Sequence, residues 1–113
     1  MAEDSSVPQE PTREEIDAIE GPALIEFGAT WCGHCQALAP KLTEELAKHP
    51  GIPHLKIEDG PGRRLGRSFR VKLWPTLVFM RDGQIVKQVS RPELREVREG
   101  LESIAGATNS GED

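Results

Sequence analysis

Arg81-Asp82-Gly83 stands between two apolar runs, Thr76-Leu77-Val78-Phe79-Met80 before it and Gln84-Ile85-Val86-Lys87-Gln88-Val89 after it. Asp-Gly between such runs signals a tight antiparallel hairpin, because the favoured two-residue turn needs positive φ at both positions. Upstream, strand and helix patterns alternate. Thr12 and Glu15 have capping-box spacing ahead of Ile16 and Ile19, and Gly21-Pro22 stops that short helix. Ala23-Leu24-Ile25-Glu26-Phe27 reads as a strand. From Cys32 to about His49, Leu38, Leu42 and Leu46 recur on one helical face, which predicts a helix that kinks at Pro40 and continues. Leu55-Lys56-Ile57 is a second strand, and Leu65 and Phe69 mark a short helix within Pro61 to Arg70. After the hairpin, Ser90 and Glu93 again show capping-box spacing, followed by Leu94, Val97, Leu101 and Ile104 on one face. The order α-β-α-β-α-β-β-α predicts an α/β fold, a central mixed sheet flanked by helices on both faces.

A chain of 113 residues holds one domain. Hydrophobic residues make up 36% and charged residues 29%, a soluble composition, and no apolar run approaches the roughly 20 residues that span a bilayer. The acidic start Met1-Ala2-Glu3-Asp4 does not resemble a secretory leader, so the expected location is cytoplasmic. A net charge of −5 argues against general nucleic-acid binding. Seven of the acids lie in residues 1–20 against Arg13 alone. Residues 1–11, with Pro8 and Pro11, read as a disordered acidic arm, and 106–113 as a disordered tail without an apolar anchor. The folded body is expected over 12–105.

Trp31-Cys32-Gly33-His34-Cys35 falls where an apolar strand gives way to a helix. Two cysteines separated by two residues can close a small disulfide ring. At a helix N-terminus the first thiol meets unpaired backbone N–H groups and the positive end of the helix dipole. Cys32 should therefore have a lowered pKa, with Cys35 the more buried partner, and a protonated His34 would stabilise the same anion. Zinc wants four ligands, whereas the chain offers one cysteine pair and scattered His34, His49 and His54, so no metal site is expected. Haem attachment needs His directly after the second Cys, and Gln36 stands there.

Residues 23–40 with this dithiol, Trp74-Pro75-Thr76 and the Asp-Gly hairpin resemble the thioredoxin family over about residues 21–105. The Cys-Gly-His-Cys centre is similar to that of protein disulfide isomerase domains. The resemblance implies a thioredoxin-like fold with a redox-active Cys32–Cys35 disulfide and no other cofactor. Glu26, read alone, could be a solvent-facing strand residue. The resemblance makes it a buried carboxylate that relays a proton to Cys35, with Lys56 facing it. It also implies a cis bond before Pro75, with the backbone of Trp74 pairing with an extended substrate segment, and Trp31, Gly33 and Thr76 joining the substrate groove. Gly28 stands where thioredoxins usually have tryptophan, Ser90 where they have glycine, and Ser90 reads as the cap of the last helix. The family's first strand is not legible in residues 1–11.

The implied function is thiol–disulfide exchange on protein disulfides, with Cys32 as nucleophile and Cys35 as resolving thiol, acting as a reductant. Its implied partners are protein disulfide substrates and a thiol or flavoprotein reductase, with the chain acting as a monomer. The alternative is a thioredoxin-like adaptor or co-chaperone that holds a partner through the same groove. Arg63, Arg64, Arg67, Arg70 and Lys72 form a basic cluster that reads as a solvated face, or as a dock for an acidic partner or the chain's own acidic arm.

Overall fold

Thr12 closes its capping box: its hydroxyl accepts from Glu15 N–H at 3.0 Å, and the Glu15 carboxylate accepts from Thr12 N–H at 2.9 Å. This starts the first helix of a computed structural model that describes residues 10–110, with backbone alone from 106 onward. The elements follow the expected order: α1 (Arg13–Asp17), β1 (Pro22–Gly28), α2 (Gly33–Leu46), β2 (His54–Glu58), α3 (Arg64–Ser68), β3 (Thr76–Arg81), β4 (Gln84–Ser90) and α4 (Leu94–Ser110). The helix α2 runs through Pro40, with Leu38 and Leu42 buried on either side of it.

The four strands lie in the order β2-β1-β3-β4. β1 pairs parallel with β2 and antiparallel with β3, and β3 pairs antiparallel with β4. The hairpin turn takes φ 51° at Asp82 and 78° at Gly83, the left-handed region that the Asp-Gly pair supplies. Asp82 also ties this turn to the start of β1, its carboxylate accepting from Gly21 N–H at 2.7 Å.

Alternation along β1 divides the core between the two faces of the sheet. Ile25 and Phe27 pack with Ile16, Leu65 and Phe69, so α1 and α3 cover one face. Leu24 packs with Leu38, Leu42, Val97, Leu101 and Ile104, so α2 and α4 cover the other. Glu26 shares the parity of Leu24 and is 3% exposed, which removes the solvent-facing reading of this acid.

Two expectations change. Ser90 does not cap α4: it ends β4 opposite Thr76, and its hydroxyl lies 2.8 Å from Thr76 Oγ1. The helix instead uses Glu96, whose carboxylate accepts from Glu93 N–H at 2.8 Å. The backbone of α4 continues to Ser110, five residues past the boundary expected for the tail. At the other end, residues 1–9 of the acidic arm, in which the sequence shows no first strand of the family, lie outside the described residues. Glu10 is packed against α3, its carboxylate accepting from Leu65 N–H at 2.9 Å. It meets that backbone amide beside the basic cluster, of which Arg64, Arg67, Arg70 and Lys72 remain exposed.

Candidate active site

The turn between β1 and α2 makes Cys32 the N-cap of the helix, a position normally held by a side-chain oxygen. Its Sγ accepts from Cys35 N–H at 3.2 Å. Burial pushes the Cys32 thiol up, but hydrogen bonds from the Cys35 side chain and backbone, from His34 N–H and the charge of Arg91 outweigh it, so its pKa lies below the ordinary value. His34 thus acts through its backbone amide, and its residue is exposed.

Cys35 is shifted the other way, to about 11. Burial is the main cause, followed by its hydrogen bond to Cys32 and the nearby charges of Cys32 and Glu26. The two sulfurs are free thiols of opposite character, one made more acidic by its surroundings and one less. Gly28 is what lets them sit there: a Cβ at that position would come within 2.6 Å of Cys35 Sγ. The missing side chain also helps open a cleft of about 390 Å³ beside Cys35, lined by Glu26, Gly28, Lys56 and Glu58 among others.

Glu26 finds a different partner from the expected one. Lys56 stands level with it in the β1–β2 ladder and lines the cleft, but it is exposed. No ion pair joins it to Glu26 among the described residues. The carboxylate instead meets His54, whose Nε2 lies 2.7 Å from Glu26 Oε1. His54 and Lys56 share one face of β2, and the shorter, flatter imidazole fills the position against the buried acid.

Opposite the dithiol, the Trp74–Pro75 bond is cis, as the resemblance implied. Cys32 Sγ lies 3.9 Å from the Trp74 carbonyl. Trp31 is 71% exposed and meets Trp74 edge to face, with ring centroids 5.3 Å apart, so it is a wall of the site rather than core. Asp59 fixes the second indole by accepting from Trp74 Nε1 at 2.9 Å. Gly33 opens α2 and is exposed, with no atom within 4 Å of where a Cβ would stand. Thr76 is fully buried, its hydroxyl donating to Leu73 O at 2.6 Å beside Ser90, so it braces the loop from below instead of facing a groove.

Three residues around this site carried no signal strong enough to single them out. His54 sits two residues from Lys56 and so on the same strand face, which was the available hint. Arg91 takes φ 50°, donates from Nε to Trp74 O at 2.9 Å and lends its charge to Cys32. Asp59 lies just past β2 and is legible only once Trp74 is folded over it.

A family model described as Thioredoxin matches residues 6–103. Thioredoxin Asp f 28 of Aspergillus fumigatus is 34% identical over 86 residues, covering 75% of this chain and 80% of its own length. Protein disulfide-isomerase A2 of Pongo abelii is 48% identical over 69 residues, 57% of this chain and 13% of that protein. The structure of thioredoxin 2 from Pseudomonas aeruginosa PAO1 in its reduced form aligns with a TM-score of 0.77 at 55% identity, covering 89% of this chain and 94% of that one. Because these matches span the body of the fold and not the dithiol turn alone, the chain belongs to the thioredoxin family of thiol–disulfide oxidoreductases.

Proposed function

We propose that the chain reduces protein disulfides in the cytoplasm, acting as a monomer with the Cys32–Cys35 pair as its whole redox centre. The observation that carries this reading is the opposed acidity of the two thiols, Cys32 lowered and Cys35 raised to about 11. The Cys32 thiolate attacks one substrate sulfur, the substrate S–S bond breaks, and one substrate thiolate leaves with its electron pair. Cys35 then gives its proton to Glu26 and attacks Cys32 Sγ. The mixed disulfide breaks, the second substrate thiolate leaves, and the substrate has gained two electrons. A thiol or flavoprotein reductase returns the Cys32–Cys35 disulfide to the dithiol.

The groove formed by Trp31, Trp74 and Pro75 takes an extended substrate segment. Trp74 O already accepts from Arg91, so the docking segment displaces that guanidinium or uses the carbonyl's second lone pair. Cys32→Ser is expected to abolish insulin reduction, and wild-type rates in that variant would overturn the mechanism. Cys35→Ser is expected to trap substrates as mixed disulfides on Cys32. A partner retained after both cysteines become alanine would favour an adaptor. The reduction potential is expected between about −270 mV and about −180 mV, the values of thioredoxin and protein disulfide isomerase, and nearer the second.

A further inference from the structure

Glu26 is buried between two unlike surroundings. On one side it shares the cleft with Cys35. On the other its Oε1 lies 2.7 Å from His54 Nε2, with side-chain exposure of 3% for the acid and 28% for the histidine. The histidine is therefore the more solvent-exposed partner of the pair, and the carboxylate meets solvent through the cleft alone. The titratable groups lining the cleft are Glu26, Cys35 from α2, and Lys56 and Glu58 from β2, while β3 contributes the apolar Leu77 opposite Glu26. Among the described residues, the hydrogen bond to the Glu26 side chain comes from His54. Imidazole is also the ordinary side chain whose charge changes between about pH 5 and pH 8.

We propose that His54 is a positioning residue for the resolving step: it fixes the Glu26 carboxylate, and its charge sets the pH range over which that carboxylate can take the Cys35 proton. The proposal rests on the reading of Glu26 as the proton acceptor. The His54 Nε2–H donates to Oε1 and leaves Oε2 for the cleft side. As Cys35 attacks Cys32 Sγ, its proton passes to Oε2 and the electron pair of the broken mixed disulfide leaves on the substrate thiolate. The carboxyl then returns the proton to solvent through the open cleft. A hydrogen-bonded cation beside a buried carboxylate favours the ionised form that the step requires. Without His54 the carboxylate faces desolvation with no cation in hydrogen-bond contact. The charge of Glu26 is among the causes that raise Cys35, which places the two groups in each other's field.

The test is a stopped-flow reaction of the reduced full chain with a chromogenic aromatic disulfide, which releases one coloured thiolate at Cys32 attack and a second at Cys35 resolution. Both releases are followed from acid to alkaline pH in wild type, His54→Gln, His54→Ala and Glu26→Gln, with circular dichroism confirming each fold. Glutamine keeps a hydrogen-bond donor and removes the charge. In His54→Gln the acid limb of the second release is expected to move up by about one pH unit, about tenfold slower on that limb, with the first release unchanged. His54→Ala should shift the limb at least as far, and keeps the test open if the glutamine variant does not fold. Uniform slowing without a shift of the limb, or no change, in both His54 variants overturns the proposal while leaving Glu26 in its role. A wild-type second release in Glu26→Gln overturns the proton-acceptor reading itself.

Discussion

At the scale of single residues, the site separates what chain-local spacing can carry from what it cannot. Cys32 and Cys35 are one helical turn apart, so their opposed roles follow from the N-cap geometry that the sequence already implies. Glu26 was legible as an anomaly, an acid in an apolar strand, although its partner was not. His54 comes from a strand 28 positions away and Arg91 from beyond the hairpin, and no local pattern connects either to the sulfurs. Arg91 gives a direct prediction. It is exposed, so its charge is screened, and Arg91→Ala should slow alkylation of Cys32 at neutral pH by about two- to threefold, moving the reactivity curve to higher pH. Cys35 should stay unreactive until the pH approaches about 11 in both proteins. Mass-resolved iodoacetamide labelling across pH separates the two thiols, and an unmoved Cys32 curve in the variant would remove Arg91 from the site's electrostatics.

Among the elements of the described residues, hydrophobic period and turn chemistry located every helix and strand, while caps were less secure. Ser90 and Glu93 matched a capping box by spacing, but β4 extends far enough to place Ser90 in the ladder opposite Thr76. The capping carboxylate comes instead from Glu96, three residues past Glu93. The helix α2 hides a similar feature. Glu45 falls on its apolar face, is 4% exposed, and accepts from Arg98 of α4 at 3.1 Å and from Lys48 at 3.4 Å. Burial pushes this carboxyl up, but the hydrogen bonds and charges of Arg98 and Lys48 prevail, and its pKa falls below the ordinary 4.5. A carboxyl lowered by folding contributes stability above its unfolded pKa and loses it as pH falls through the folded value. Glu45→Gln should therefore lower the urea midpoint at pH 7, and the gap from wild type should close as the pH falls below the ordinary carboxylate range. A gap that stays constant with pH would mean that the bridge between α2 and α4 is not ionic.

For the whole molecule, alternation followed by a hairpin was enough to give the mixed sheet and its two helical layers. The strand order β2-β1-β3-β4 was not explicit, because nothing local states that β1 sits between a parallel and an antiparallel neighbour. That central place makes β1 common to both cores. Leu65 and Leu101 are each 2% exposed or less and lie on opposite faces of the sheet. Leu65→Ala and Leu101→Ala should each cost about 2–5 kcal/mol, with circular dichroism showing one cooperative urea transition in both. Two separated transitions would show that the faces unfold independently. The placement of the tryptophans gives the molecule a built-in optical property. The chain has two, Trp31 and Trp74, and both stand at the dithiol with their rings in contact. Tyrosine is absent, so essentially all near-ultraviolet emission above 300 nm comes from a few ångströms around the sulfurs. A fluorescence trace of this protein is therefore a local record of docking and electron transfer, silent about the distant helices, and any unlabelled substrate can be watched arriving.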